Sequence, residues 1–447
     1  MLDLQRSLAL LLALSSLALA ADAQRGRGSQ VQRTAEFITC TPGSVQVAGA
    51  RPAPSKNPIA EALELAGPGS VITVRPGDYP GFQIGFKQDK PWVARTSGGL
   101  PGRPIIVRGE GGVVIRPRPG VHDTISITQD IKNGHITFQN MEIEPGERAG
   151  IMFFKQGNKG HDGYHFEDVD IIGSWDHVAN SGKKSKWAVW GHSLRDFQYK
   201  GVTRLARIEN IRLEHAFYLQ NLKGNVLLER IAAKRLGRTF CQFTARAKDG
   251  PVGVGNIVVR ECEVEDIGLS PWDDHKGGSA FTVAGRVKGN VLFENNTYRA
   301  GFDRALRRLT RRGAPYGSGA MALWDGGERV PNGRITLRGN HFEFAEGCGD
   351  RPVVTIGGCE EILILEGNQF VTGGNYAALS LDPTKNGKPG GALVSKANGT
   401  VYIDKRSTFV GGVEIRGREA TEHQLRALGE RKPANARQRA EARLPRD

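Results

Sequence analysis

Apolar residues recur along this chain in one template: apolar, any, apolar, any, any, small or apolar, any, apolar. It fits Ile136/Phe138/Met141/Ile143, Tyr164/Phe166/Val169/Ile171, Ala206/Ile208/Ile211/Leu213 and Val226/Leu228/Ile231/Ala233. It fits again at Ile257/Val259/Cys262/Val264, Val291/Phe293/Asn296/Tyr298, Ile335/Leu337/Asn340/Phe342 and Leu363/Leu365/Asn368/Phe370. Alternation on both sides of a two-residue break predicts two short strands meeting at a bend, with apolar side chains facing one way throughout. Asn296, Asn340 and Asn368 fall at the bend, an inward position that suits an amide only if its hydrogen bonds are met, as stacked amides on successive units can do. A further apolar strand lies between copies, as in Cys241/Phe243, Phe281/Val283, Met321/Leu323 and Val354/Ile356. Units of roughly 20 to 30 residues, lengthened in places by inserted loops, describe a solenoid whose neighbouring turns share one core.

Ahead of the repeat, Asn57 to Leu65 predicts a short amphipathic helix. Asn57 can cap it, Pro58 suits its first turn, and Gly67-Pro68-Gly69 ends it. Continued through Val71-Ile72-Thr73-Val74 to Gly77-Asp78-Tyr79, this stretch resembles the entry of the pectin-lyase-like β-helix superfamily, in which such a helix plugs the open end of the stack. The resemblance covers roughly residues 55 to 415 and implies an all-β fold. The expected architecture is a single-stranded right-handed parallel β-helix with an N-terminal capping helix and three inserted loops on one edge. A leucine-rich solenoid is the alternative, but its leucine and asparagine spacing is missing. Flanking this domain, residues 1–23 read as a signal peptide: Arg6, an apolar run of about 13 residues from Leu8 to Ala20, then small residues. A membrane span needs roughly 20 apolar residues, so export to the periplasm or the exterior is expected. Residues 24–54 read as an N-terminal extension and 416–447 as a basic, frayed or disordered tail.

Glycine stands at 59 residues against 22 prolines with no period of three, which suits many tight turns. The five cysteines, at 40, 241, 262, 348 and 359, cannot form a complete disulfide framework. A net charge of +14 implies attraction to polyanions. Among these, an acidic polysaccharide is the expected partner of a monomer with no transmembrane segment. Nucleic acid is disfavoured by the export signal and the lack of a recognised module.

The largest insertions, Ile172 to Thr203, Glu265 to Gly278 and Arg299 to Gly317, follow the same corner of the template. Between the first two lies a low stretch at Glu214-His215 and Lys234 to Arg238, a cleft in which a chain-like substrate can lie. Its floor offers His215, Tyr218, Lys234, Arg235, Arg238 and Arg246. Its walls offer Trp175, His177, Trp190, Trp272, Asp273, Asp274, His275 and Lys276. Trp175, Trp272 and Trp324 each precede an aspartate, a pairing that suits a sugar ring or, equally, pins a loop to the helix.

The superfamily includes pectate, pectin and alginate lyases, polygalacturonases, adhesins and non-catalytic binding modules, so the resemblance specifies architecture better than activity. A lyase requires a cation to neutralise the uronate carboxylate and a base to remove the proton on the adjacent carbon. Arg238, Arg235 or Lys234 suits the first role, and His215, Lys234 or Tyr218 the second. Exported β-elimination of a uronate polysaccharide is therefore the leading expectation, and non-catalytic binding of acidic glycans the alternative. Hydrolysis of the polygalacturonase kind is disfavoured. Arg286-Val287-Lys288 is similar to that family's Arg-Ile-Lys, but its Asn-Thr-Asp is absent and Gly191-His192 lies in the wrong order. No cofactor is certain. The resemblance makes calcium a candidate, with Glu261, Glu263, Glu265, Asp266, Asp273 and Asp274 as acidic groups, although no compact calcium loop is present.

Overall fold

The computed structural model describes residues 35–430, except 87–89, 129–133, 155–159, 175–186, 246–254, 270–277, 286, 304–318, 325–331, 350 and 382–397. Each coil lays down three strands, one on each of three faces. In one coil these are Val226–Glu229, Ile231–Lys234 and Cys241–Ala245. Successive coils pair in parallel and in vertical register. Val226 sits on Ile257, then Val291, then Ile335, and Cys241 on Phe281, Met321, Val354 and Leu379. The first and second faces merge into a 23-stranded sheet, and the third forms a 13-stranded sheet. The protein is thus an all-β parallel β-helix.

Alternation explains the core. Inward positions stack into columns of like residues, and large rings lie on rings: Phe138 on Phe166 and Phe342 on Phe370, each with centroids 5.3 Å apart and planes 11° from parallel. Between the first and second faces one residue per coil turns the chain in the left-handed region, including Asn140, Asp168, Arg230, Glu261 and Asn295 with φ of 53°, 53°, 52°, 54° and 51°. A single such residue kinks the strand without changing which side faces inward. The asparagines at the bend form the expected ladder. Asn296 Nδ2 donates to Asn340 Oδ1 (3.0 Å) and Val259 O (2.8 Å); Asn340 Nδ2 donates to Asn368 Oδ1 (3.0 Å) and Phe293 O (2.9 Å).

Two copies of the template are out of phase with the coils. Ala206 and Ile208 lie on the second face, in register with Ile231 and Ala233, and the first face of that coil is Phe197–Lys200. The residues between form an insertion at the bend itself, tied down by Asp168, which accepts from Val202 N (2.7 Å), Thr203 N (3.0 Å) and Thr203 Oγ1 (2.7 Å). In the last copy Ile362 and Ile364, rather than Leu363 and Leu365, pair with the inward Ile335 and Leu337. An extra residue is absorbed at Glu366 and Gly367, both at positive φ (59° and 79°).

Helices close both ends. The first, α1 (Pro58–Leu65), is capped by Asn57 Oδ1, which accepts from Ala60 N at 3.3 Å, and it buries Ile59, Ala60, Ala62 and Leu63. It stops at Ala66, whose backbone is extended, so Gly67-Pro68-Gly69 belongs to the strand Ala66–Val74 and does not end the helix. The wide sheet begins ahead of residue 55: Ala35–Thr41 pairs in parallel with Ala66–Val74 and antiparallel with Ser44–Val47. At the other end α2 (Glu422–Glu430) packs Leu425 and Leu428 on the core, so the start of the basic tail is an ordered cover and not a frayed one. The signal segment and residues 431–447 lie outside the described residues. All five cysteines are buried, and burial pushes the Cys40 and Cys262 thiols up to about 12. Among the described residues no helix is long and apolar enough to cross a membrane.

Candidate functional site

The chain crosses from the second face to the third at one corner of every coil, and the three long insertions all leave from it, between Ile172 and Trp187, Glu265 and Phe281, and Ala300 and Met321. The central parts of these insertions lie outside the described residues. Two short crossings follow the first insertion, Asn210 to Ala216 and Arg235 to Phe240. On the strands just beyond them, alternation sends Phe217, Leu219, Cys241 and Phe243 into the core and turns Tyr218, Gln220, Gln242 and Thr244 away from it. Register then makes distant residues neighbours. Trp190, Tyr218, Gln242 and Thr282 form one outward column, and His192, Gln220, Thr244, Ala284 and Trp324 the next.

The first column carries an aromatic plate. Trp187 and Trp190 have ring centroids 4.5 Å apart, and Trp187 stacks on Tyr218 at 6.3 Å and 14°. A hydrogen-bonded chain fixes the edges: Trp190 Nε1 donates to Gln220 Oε1 (3.1 Å), and Gln220 Nε2 donates to Tyr218 Oη (3.0 Å). The Tyr218 and Trp190 rings remain partly exposed, so the plate offers a flat apolar surface with a hydroxyl on it, the pairing that a sugar ring matches.

Beneath the plate sits a buried polar cluster. His215 stacks on Tyr218 with centroids 5.0 Å apart, and its Nε2 donates to Gln242 Oε1 (2.8 Å), whose amide in turn donates to Thr244 Oγ1 (3.0 Å). Glu214 Oε2 lies 3.1 Å from His215 Nδ1 and 3.3 Å from Arg238 Nη1. Burial pushes the His215 pKa down and Arg238 adds to the effect, against the opposing pull of Glu214. The Arg238 side chain, by contrast, is 34% exposed while one nitrogen is held by Glu214, which leaves an oriented cation linked through Glu214 and His215 to the plate.

Of the expected catalytic residues, the corner gathers His215, Tyr218 and Arg238. His215 is not placed to meet a substrate as a base: its side chain is 3% exposed, one nitrogen faces Glu214 and the other Gln242. It supports Tyr218 from below. Lys234 stands apart, on the second face, with Nζ 3.9 Å from Glu265 and its side chain 46% exposed. The next residue explains the separation, because Arg235 takes the left-handed conformation (φ 55°) and turns the chain away from that face. The Arg235 Nε is buried without an acceptor among the described residues. Trp190 joins the plate as an expected sugar-facing group. Trp324 shares the third face, three strand steps from Gln220, about 14 Å along the axis. Trp175, His177, Arg246, Trp272, Asp273, Asp274, His275 and Lys276 lie outside the described residues. Part of the acidic set proposed for calcium is otherwise engaged. Glu265 meets Lys234, and burial raises the Asp266 carboxyl to about 6 while its Oδ1 accepts from Gly301 N.

Glu214, Gln220 and Gln242 are the site residues that sequence reading passes over. The signal for the glutamines is present, as polar residues at alternate positions of otherwise apolar strands, but it points to a site only once coil register places them beside Trp190 and His215.

No protein-family model and no curated protein matches this chain. Among solved structures it is similar to an alginate lyase from Paenibacillus sp. strain FPU-7, at 13% identity and a TM-score of 0.46 over 74% of this chain and 94% of that one. It is also similar to pectate lyase Pel9A, at 12% identity and 0.33 over 88% and 83% of the two chains. A third is the A-module of the mannuronan C-5 epimerase AlgE6 of Azotobacter vinelandii, at 10% and 0.29 over 81% and 95%. Identity this low and superposition this loose leave the chemistry to be argued from this chain's own residues.

Proposed function

We propose that this protein is an exported lyase that cleaves a uronate-containing acidic polysaccharide by β-elimination at the corner between the second and third faces. The observation that carries the reading is Arg238, a cation oriented by Glu214 and linked through it and His215 to the Trp187, Trp190 and Tyr218 plate. A sugar ring stacked on the plate brings its carboxylate to the guanidinium, and neutralising that charge acidifies the proton on the adjacent carbon. The Tyr218 oxygen, as phenolate, takes that proton. The electron pair left on carbon forms the new double bond as the glycosidic carbon–oxygen bond breaks, and the Tyr218 hydroxyl returns its proton to the departing oxygen. His215, Gln220 and Gln242 hold the ring and hydroxyl in place. The net charge of +14 draws a polyanion toward this surface.

The measurement is ultraviolet absorbance from unsaturated chain ends on a panel of pectins, alginates and glycosaminoglycans. A rise with at least one of them is expected; no rise and no shortening of any chain contradicts the lyase. The sequestration of His215 favours one other reading, a β-helix that grips acidic glycans without cleaving them. That reading requires salt-sensitive binding with no unsaturated ends.

A further inference from the structure

Upstream along the same corner the surface opens into a cavity of about 420 Å³, lined by Arg118, Gly120, His122, Glu144, Glu147 and Ser174 among others. Its acids already have partners, since Glu144 pairs with Arg116 and Glu147 lies 2.8 Å from His122 Nδ1. Arg118 does not. Its guanidinium lies 4.0 Å from the centroid of Trp92, an indole that also carries Lys90 Nζ at 5.3 Å. Its Nε and Nη2 are buried and meet no acceptor among the described residues, and burial pulls its pKa down to about 10. The neighbouring Arg148 shows what a structural arginine looks like in this part of the fold: its Nε and Nη2 bind the two Asp123 oxygens at 2.8 and 2.5 Å. Stacking on an indole stabilises a partly exposed cation only weakly, less than each buried donor left unmet costs. The fold therefore holds a half-buried cation, two of whose nitrogens meet no acceptor among the described residues, at the rim of an open cavity.

We infer that this cavity is a second carboxylate subsite, in which Arg118, backed by Trp92, binds a uronate of the same acidic polysaccharide. The inference rests on the proposed function and extends it to the length of chain that is gripped. The strand that follows Arg118 is four steps from the one that follows Arg238, through Ser126, Met152, Trp190, Tyr218 and Gln242, or about 19 Å along the axis. Only a chain of several sugars reaches both cations.

The test is calorimetric titration of the full mature protein with the disaccharides and hexasaccharides of galacturonate, of mannuronate and of a uronate-containing glycosaminoglycan. For the oligosaccharide series that binds, Arg118→Met weakens the hexasaccharide at least tenfold, leaves the disaccharide unchanged, and does not lower the melting temperature. Arg118→Lys, which keeps the charge and loses the planar fork, gives a smaller loss. A hexasaccharide affinity within twofold of wild type in Arg118→Met, with Arg238→Ala still impaired, overturns the subsite alone. So does an equal loss for both lengths together with a lowered melting temperature, which marks Arg118 as structural. Failure of wild-type protein to bind any of the six overturns the function on which the subsite rests.

Discussion

At the scale of single residues, burial decides what each titratable group can do. His215 and His161 both sit inside, and burial pulls their imidazoles down, His161 to about 4, while its Nε2 donates to Phe154 O at 2.9 Å. A histidine whose folded pKa lies below its unfolded value near 6.5 leaves the native state unprotonated while the unfolded chain takes up a proton. Stability is therefore lost as pH falls from about 6.5 toward 4, by on the order of 3 kcal/mol for His161. Asp266, raised by burial to about 6, works in the opposite sense, so the informative quantity is a difference in slope. Denaturation midpoints between pH 7 and 4 should fall less steeply for His161→Gln than for wild type; equal slopes contradict a buried neutral His161. Tyr218, Trp190 and Arg238 were legible in the sequence because alternation and corner position suffice to place them on the surface. The burial of His215 was not, since its cover is Tyr218 and its partner Gln242 comes from the next coil. Lys234 was misread for a reason one residue long: whether the chain turns before or after it depends on which residue takes positive φ, and Arg235 carries no such mark.

At the scale of strands and bends, the asparagine ladder shows how a polar residue is kept inside an apolar column. Asn340 receives from Asn296 and gives to the Phe293 carbonyl on one side, and gives to Asn368 on the other. Leucine at this position fits the column but strands the Asn296 amide and the Phe293 carbonyl. Asn340→Leu should lower unfolding free energy by about 3 kcal/mol or more, read from urea midpoints at constant slope. A change below 1 kcal/mol contradicts the ladder's structural role. The ladder was readable because three asparagines fall at one place in a template. The phase of two copies was not, because Asp168 supports an insertion within the bend and Glu366-Gly367 absorb an extra residue, and neither event disturbs the apolar alternation on which the template depends.

At the scale of the whole molecule, vertical register turns a long sequence into a surface with repeating corners, and function follows from which corners stay low. The stack is sealed by α1 at one end and by α2 at the other, so its exposed chemistry lies along the side. The N-terminal seal was legible from Asn57 and Pro58, while the C-terminal one was hidden in a charged segment whose few apolar residues, Leu425 and Leu428, are enough to cover a single coil. The central claim is that uronate chemistry occurs at the corner that holds Arg238 and the aromatic plate. Its most direct test is the rate of unsaturated-end formation by Tyr218→Phe and Arg238→Ala on the polysaccharide that wild-type protein cleaves. The account predicts that Tyr218→Phe loses at least about 100-fold in kcat with KM little changed, and that Arg238→Ala loses a similar factor in kcat/KM. Either variant turning over at the wild-type rate would contradict it.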